Sequence, residues 1–315
     1  MASPRPTVAP FGSWASPITG EVLVQASVSL GGPAFAAGDL WWSELRPTEA
    51  GRVQIVRKGL AGAEVGHDVL PDGFSARTRV HEYGGGAWWL HTDTSAGPDG
   101  AATATLFFAN WSDQRLHRID RAGDADAGDP VAITPEPGEP NGFRFADGRV
   151  TADGRHLICV REAHGVPGSS EARNELVAVP ADGSSDPVVL VGGAAGPDFV
   201  AAPRLSPDGT MLCWLQWQHP SMPWDRTELW VADVVVAGNG VSLERASLVA
   251  GAVEAPPESI AQPEWAPDGR LYFVSDRDGW WNLFAFPGGA RPAAGTDRQL
   301  SELEMELAQP LWVFG

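Results

Sequence analysis

A short turn sequence recurs three times along this chain at nearly constant intervals. The copies are Thr151-Ala-Asp-Gly154, Ser206-Pro-Asp-Gly209 and Ala266-Pro-Asp-Gly269, which begin 55 and 60 residues apart. Proline presets the backbone angle of the first corner, aspartate bonds to the following backbone, and glycine accepts the left-handed conformation that closes the turn. An apolar run follows each copy, so each copy predicts a strand, a tight turn and a second strand.

Further apolar segments follow each of these hairpins. Third strands are predicted in Glu175–Val179, Glu228–Asp233 and Trp281–Phe286, and fourth strands in Pro187–Val191 and Ser247–Ala250. Four short antiparallel strands in each repeat of this length are typical of a propeller blade. More diverged copies lie upstream, around the paired tryptophans at 41–42 and 88–89.

The pattern predicts one all-β domain over residues 1–315, a β-propeller of four-stranded antiparallel blades. We expect about five blades and the start of a sixth, with approximate bounds 22–60, 78–134, 143–192, 200–250 and 260–300 and a sixth beginning at 309. Because Gln309-Pro-Leu-Trp-Val-Phe-Gly315 opens a repeat without completing it, we expect an incomplete ring and further chain beyond Gly315. Helical periodicity is weak, and only Glu302–Ala308 could form one or two helical turns.

Charge and hydropathy exclude several classes of partner. The chain has 22 Lys and Arg against 40 Asp and Glu, a net charge of −18. Such a balance repels phosphate backbones, so no nucleic-acid partner is expected. The sequence has neither an apolar run of about 18 residues nor a signal-peptide core, so we expect a cytoplasmic protein with no membrane contact.

The sequence indicates neither a metal nor a cofactor. Cys159 and Cys213 lie in apolar, strand-like runs, where a reduced and buried thiol is the ordinary state. His81-Glu82 begins like a zinc-binding helix motif, but Gly85 occupies the position where the second histidine would stand. Phosphate-binding and dinucleotide-binding glycine motifs are absent, so we expect no bound cofactor.

Three long segments carry a resemblance to a known family. Val80–Trp89, Trp217–Asp233 and Val274–Phe284 resemble the N-terminal propeller of the prolyl oligopeptidase family of serine peptidases, in particular its bacterial acylaminoacyl-peptidase and dipeptidyl-aminopeptidase-like members. In that family the propeller precedes an α/β-hydrolase domain with a Ser-Asp-His triad, caps the active site and admits short peptides. The resemblance implies that this chain is the gating and selecting part of a hydrolase. Its partners would be short peptides and a C-terminal hydrolase domain of the same polypeptide, which is missing here.

No catalytic residue is expected in this chain. The Gly-x-Ser-x-Gly elbow that presents a nucleophilic serine occurs nowhere in the sequence. Gly168-Ser-Ser170 and Gly183-Ser-Ser185 lack the second glycine and lie in loop-like sequence. We therefore expect the chain to be inactive by itself.

Two segments are candidates to face a substrate. His81, Glu82 and Tyr83 precede three consecutive glycines, which indicate close backbone approach or unusual backbone angles. These residues would form a wall of the central cavity, with His81 or Glu82 meeting a peptide terminus. The alternative is that the segment serves only tight packing of the blades.

The second candidate segment is the loop His219-Pro-Ser-Met-Pro-Trp-Asp225. Two prolines and an aromatic residue make it stiff, so His219, Met222 and Trp224 could line the cleft and hold an apolar side chain. Alternatively, Trp224 folds back onto its own blade. Trp265 and Trp312 occupy equivalent places in two repeats and are predicted to fill the wedge between adjoining sheets.

Two other functions remain open on the sequence. Propellers serve many unrelated functions, so the chain could be a stand-alone binding or scaffold module. A propeller glycosidase is the third reading, and it would need two carboxylates facing a common cavity.

Overall fold

A computed structural model describes residues 8–14, 16–20, 27–60, 65–93, 102–124, 127–139, 142–165, 171–238, 240–251, 256–309 and 312–315. It contains five four-stranded antiparallel sheets arranged in a ring as the blades of a β-propeller. Each sheet is built from four strands that are consecutive in the chain, as expected where short turns join antiparallel neighbours. The all-β propeller predicted from the repeats is confirmed.

The strands are numbered in chain order, four to a blade. Blade 1 comprises β1 Ser29–Ala36, β2 Asp39–Arg46, β3 Arg52–Gly59 and β4 His67–Asp68; blade 2 comprises β5 Trp88–Asp93, β6 Thr103–Ala109, β7 Leu116–Ile119 and β8 Val131–Ala132. Blade 3 comprises β9 Phe143–Val150, β10 His156–Ala163, β11 Arg173–Pro180 and β12 Val188–Val191; blade 4 comprises β13 Phe199–Leu205, β14 Met211–Trp217, β15 Glu228–Ala237 and β16 Gly240–Ala250; blade 5 comprises β17 Ile260–Trp265, β18 Leu271–Ser275, β19 Asn282–Ala285 and β20 Arg298–Gln299.

The recurring turn sequence closes the hairpin between the first and second strands of blades 3, 4 and 5. In blade 3, the Gly154 amide donates to the Thr151 carbonyl at 2.8 Å, and Gly154 has φ +70°. The Asp153 carboxylate accepts from the Thr151 hydroxyl at 2.6 Å and from the Arg155 amide at 3.1 Å. The turn chemistry predicted from the sequence is therefore present.

The first strands of blades 3, 4 and 5 each contain a β-bulge at the same place. The bulged residues are Asp147, Ala202 and Gln262, with φ of 51°, 50° and 50°. Their ladders shift register there, which bends the strand and increases its local twist. This repeated irregularity follows the blade repeat, although the sequence at the three positions differs.

Apolar side chains fill the spaces between neighbouring blades. Trp41, Trp214, Phe107 and Phe273 are among the largest fully buried side chains. Cys159 and Cys213 are free, fully buried members of this core, and burial raises the pKa of both thiols to about 12. A thiol with so high a pKa stays protonated at neutral pH and is a poor nucleophile or metal ligand.

The sequence made a prediction for each of two segments near the end of the chain: a helical turn within 302–308 and the start of a sixth blade at 309. Residues 302–308 form no helical turn; their backbone bonds to blade 5 instead, with the Leu307 amide donating to the Trp281 carbonyl at 2.9 Å. Of the segment predicted to begin a sixth blade, residues 310 and 311 lie outside the described part. Phe314 forms a single parallel bridge with Gly85 of the segment that precedes blade 2.

Candidate functional site

The segment that carries His81, Glu82 and Tyr83 forms a tight turn just before blade 2. The Glu82 amide donates to the Arg79 carbonyl and the Gly84 amide to the Val80 carbonyl, each at 2.9 Å. His81 and Glu82 have φ of 51° and 62°, a left-handed conformation that is uncommon outside glycine. Two consecutive strained residues are held here by contacts with other blades, as is typical of functional positions.

Two of those contacts fix His81 against blade 3. Its ring Nε2 lies 2.7 Å from Asn174 Oδ1, and its backbone amide donates to Glu162 Oε1 at 3.3 Å. The imidazole also contacts the Phe199 ring edge-on, with centroids 5.7 Å apart. The ring orientation of His81 is thus set by residues from blades 3 and 4.

The three glycines that follow allow the backbone to approach two other segments. A Cβ atom on Gly85 would lie 2.2 Å from the Phe314 carbonyl oxygen, and one on Gly84 would lie 2.6 Å from the Thr78 carbonyl oxygen. A Cβ atom on Gly86 would lie 3.1 Å from the Asp147 amide nitrogen. Close backbone approach, as the sequence predicted, is what requires glycine here.

The loop that carries Met222 and Trp224 is anchored to blade 5. The Ser259 hydroxyl donates to the Pro223 carbonyl at 2.7 Å, and the Thr227 hydroxyl donates to the Ile260 carbonyl at 3.0 Å. Within the loop, the Met222 amide donates to the Asp225 carboxylate at 2.8 Å. These bonds hold the loop in one position relative to blades 4 and 5.

The two segments meet at a cavity of about 400 Å³, which we call the aromatic cavity. Its lining comprises His81, Glu82, Tyr83, Glu162, Phe199, Trp217, Met222, Pro223, Trp224, Trp312, Val313 and Phe314. Five of the six residues predicted to face a substrate therefore lie together: His81, Glu82, Tyr83, Met222 and Trp224.

Aromatic side chains form most of the cavity wall. The Trp224 and Trp312 rings have centroids 4.9 Å apart, and the Tyr83 ring meets Trp312 edge-on at 5.7 Å. Elsewhere in the wall Phe199 stacks on Trp217, with ring centroids 5.2 Å apart. Trp224 thus packs against Trp312 in this wall, in contrast to the alternative that it covers its own blade.

One arginine controls the charge at the edge of the cavity. Arg144 Nη1 donates to Glu82 Oε1 at 2.6 Å and to the Arg79 carbonyl at 2.8 Å, and it lies 3.4 Å from Glu162 Oε2. The hydrogen bond from Arg144 lowers the pKa of Glu82 below its usual value. The Glu82 carboxylate therefore remains ionised at neutral pH and is exposed on its other side.

His219 lies apart from the other five candidates, in a neighbouring cavity of about 530 Å³. Its Nε2 is 3.1 Å from Glu171 Oε2, and its backbone amide donates to Asp198 Oδ2 at 2.8 Å. Glu162 and Phe199 line both cavities. His219 thus contacts the site indirectly, through its edge-on contact with the Phe199 ring at 5.0 Å.

The prediction for Trp312 is wrong. This side chain was expected to fill a wedge between sheets, but 57% of it is exposed and it lines the aromatic cavity. Trp265 does pack against the core, and its indole donates to the Arg204 carbonyl at 3.0 Å. The difference arises because the Trp312 segment runs along the glycines at 84–86, outside any blade described by the structure.

Other polar chemistry in the described part of the chain is limited. The residues described include no group of three or more His, Cys, Asp or Glu side chains arranged to hold a metal ion. Gly183-Ser-Ser185 lies in the turn between β11 and β12, and Gly168-Ser-Ser170 falls outside the described residues. Among the helices of the described ranges, none is long and apolar enough to cross a bilayer.

This architecture recurs in peptidases of known structure. A puromycin-hydrolysing peptidase from Mycobacterium tuberculosis is 35% identical to this chain, with a TM-score of 0.80 over 98% of this chain and 44% of that one. The chain resembles the propeller of the prolyl oligopeptidase family. A prolyl endopeptidase structure shares the fold, with a TM-score of 0.50 at 15% identity over 87% of this chain and 36% of that one.

A curated relative agrees with this family resemblance. A probable dipeptidyl-peptidase 5 from Emericella nidulans is 25% identical over 162 residues, which are 50% of this chain and 21% of the relative. No family model matches the chain. The chain thus spans less than half the length of the prolyl oligopeptidase-like proteins that it matches.

Proposed function

We propose that this propeller is the substrate-gating and selecting domain of a serine exopeptidase or oligopeptidase of the prolyl oligopeptidase family, and that it is inactive by itself. The observation that carries the proposal is the aromatic cavity, in which two distant segments present five candidate residues to one space. The 35% identity to the puromycin-hydrolysing peptidase over 98% of the chain supports it.

The cavity is suited to an apolar or aromatic side chain of a short peptide. Its volume of about 400 Å³ lies within the range of small-ligand sites, which is roughly 300–1,000 Å³. Tryptophan and tyrosine faces give large contact areas at small entropic cost, and Met222 adapts to ligand shape. The ionised Glu82 at the edge would attract a positively charged peptide terminus.

Catalysis would be supplied by an α/β-hydrolase domain of the same polypeptide, with the aromatic cavity facing its active site. We further propose that the protein acts in the cytoplasm. The two free, buried thiols of Cys159 and Cys213 support a reducing compartment. In this arrangement the propeller determines which peptides reach the serine.

The aromatic cavity does not fit a glycosidase. Glu82 and Glu162 both line it, but they share Arg144 as a partner. The general acid of a glycosidase needs a raised pKa, whereas the bond from Arg144 lowers the pKa of Glu82. This pair of carboxylates is arranged for charge neutralisation.

The proposal predicts that Trp224→Ala weakens peptide binding. Calorimetry with the amide of Phe-Gly-Gly should show a loss of about tenfold, since one aromatic contact contributes roughly 0.5–1.5 kcal/mol beyond the buried area. Trp280→Ala is the matched control, because Trp280 is 41% exposed and lies outside the cavity. Equal affinities for the two variants would contradict the assignment of this cavity.

A second readout tests the inactivity of the chain. The chain alone should hydrolyse neither aminoacyl nor acylaminoacyl chromogenic substrates and should not react with a fluorophosphonate. Labelling of any serine would refute this part of the proposal. If the chain binds peptides and is present in the cell without any catalytic domain or partner, the stand-alone binding module would be favoured instead.

A further inference from the structure

The aromatic cavity borders a second and larger space, which we call the large cavity. The large cavity has a volume of about 640 Å³ and is lined by residues of blades 1, 2 and 3 and of the segments beside them. Among the residues that the structure describes, Tyr83 and Phe314 alone line both spaces. These two residues therefore form the partition between the two cavities.

Phe314 is the fixed part of this partition. Only 5% of Phe314 is exposed, and its backbone amide donates to the Gly84 carbonyl at 3.0 Å. Its ring also packs against the His81 imidazole, with ring centroids 4.8 Å apart. A buried side chain that is held by both backbone and ring contacts is costly to displace when a ligand binds.

Tyr83 is the exposed part of the partition. Its backbone is held in the tight turn by hydrogen bonds that the amides of its neighbours Glu82 and Gly84 donate. Tyr83 is 66% exposed, and its ring meets the Trp312 ring edge-on at 5.7 Å. Because the glycines at 84–86 have no side chains, the Tyr83 ring closes the aromatic cavity on this side with little support from the residues that follow it.

The large cavity offers apolar surface to a second side chain. Phe35, Trp88 and Leu90 line it, and Phe35 is 74% exposed. Asp147 and Arg149 also line it, but they are paired with each other, with 3.3 Å between Asp147 Oδ1 and Arg149 Nη1. An apolar side chain that reached this space would therefore be removed from water against other apolar groups.

We infer that Tyr83 limits the ligand to one bound apolar side chain, because its ring separates the aromatic cavity from the large cavity. This inference rests on the proposed function. With Tyr83 in place, one apolar side chain of a peptide occupies the aromatic cavity and its neighbour stays in solvent. Successive residues of an extended peptide lie only about 3.3–3.6 Å apart, so the neighbouring side chain would enter the large cavity if the ring were removed. Tyr83 is thus a specificity-determining residue.

Calorimetry on the full chain tests this role with two dipeptides of equal length and charge, Phe-Phe amide and Phe-Gly amide. The unmodified chain should bind them with about equal affinity, since the second ring finds no cavity. Tyr83→Ala should raise the preference for Phe-Phe amide to about tenfold, the effect expected from burying much of an apolar side chain. The ratio of the two affinities is the readout, because loss of the Tyr83 ring weakens the binding of both ligands.

Three further variants separate the partition from other effects. Tyr83→Phe keeps the ring and should keep the ratio of the unmodified chain. Met222→Ala is the matched control, because Met222 lines the aromatic cavity but not the large cavity. It should lower both affinities and leave their ratio unchanged. Tyr83→Leu shortens the partition with a smaller loss of apolar contact, and it gives a second test if Tyr83→Ala lowers the melting temperature.

Every outcome of these measurements decides the matter. A strong preference for Phe-Phe amide already in the unmodified chain would overturn the inference, because the cavities would then be open to each other. An unchanged ratio in both Tyr83→Ala and Tyr83→Leu, or an equal rise in Met222→Ala, would refute it as well. Failure of the proposed function is seen separately, as Phe-Gly amide binding that is insensitive to Trp224→Ala.

Discussion

At Gly85 the backbone of the segment that precedes blade 2 touches the segment that carries Trp312 and Phe314. The Phe314 amide donates to the Gly84 carbonyl at 3.0 Å, so the two segments are joined as well as close. Any side chain at Gly85 would push Phe314 away and so disturb one wall of the aromatic cavity. The glycine therefore links local backbone geometry to the shape of the site.

We predict that Gly85→Ala destabilises the fold by about 2–4 kcal/mol, because a steric clash adds to the cost of a left-handed alanine. Gly279→Ala is the matched control: its φ of +89° is nearly that of Gly85 at +90°, but nothing lies within 4 Å of its Cβ position. The control should lose only about 1 kcal/mol in denaturant unfolding. Equal losses would mean that the contact with Phe314 is unimportant.

Local sequence signals predicted the residues of one half of the aromatic cavity wall. Three glycines marked His81 to Tyr83, and two prolines in a short loop marked Met222 and Trp224. Phe199 and Trp217 carry no such signal, because an aromatic at a strand end is equally typical of a core. They reach the site only because blade 4 is brought beside the turn at 80–83, which depends on packing over more than a hundred residues.

At the scale of elements, short edge strands are fixed to their blades by charge as well as by backbone bonds. The edge strand β4 has only two residues, and its Asp68 forms a two-pronged pair with Arg46 of β2, at 2.6 and 2.7 Å. The hydrogen bonds from Arg46 lower the pKa of Asp68 below its usual value. The pair thus stabilises the outer edge of blade 1.

We predict that Asp68→Asn lowers the unfolding free energy by about 0.5–1 kcal/mol at pH 7, a value discounted for exposure of the pair. Because the folded pKa is below the unfolded one, the stabilisation is complete above about pH 5 and is lost as the pH falls through the unfolded and then the folded value. Urea unfolding at pH 7 and pH 3 measures it. Asp72→Asn, at a fully exposed position, should have no effect at either pH.

The order and spacing of the strands were the part of the fold that could best be predicted from the sequence. Turn residues at a regular spacing predicted the strands of blades 3 to 5 because glycine and aspartate are required by the turn itself. The bulges at Asp147, Ala202 and Gln262 were not predicted, since three unlike residues adopt the same left-handed conformation.

At the scale of the whole molecule, one buried ion network joins three blades. Arg204 of blade 4 bonds to Asp147 of blade 3 and to Glu264 of blade 5. Only 2% of the Asp147 side chain and 9% of the Arg204 side chain are exposed. Because both groups are largely removed from water, each depends on its ion-pair partners for compensation.

We predict that Arg204→Met destabilises the protein by about 3–5 kcal/mol, because it leaves Asp147 buried without its main partner. Adding Asp147→Asn should recover part of the loss in thermal or denaturant unfolding. Arg270→Met is the control, since among the described residues this exposed arginine forms an ion pair with Asp268 alone, at 3.4 Å, and the change should alter stability by less than about 0.5 kcal/mol. A small loss for Arg204→Met, or none recovered by the second change, would contradict this role.

The measurement that tests the central claim most directly is the sequence of the native gene beyond codon 315. Our account predicts an in-frame continuation that encodes a Gly-x-Ser-x-Gly elbow followed by the aspartate and histidine of a triad. Such a reading frame would make the aromatic cavity the entrance of a serine peptidase. A stop codon directly after Gly315 would contradict the account and leave a propeller that binds without catalysis.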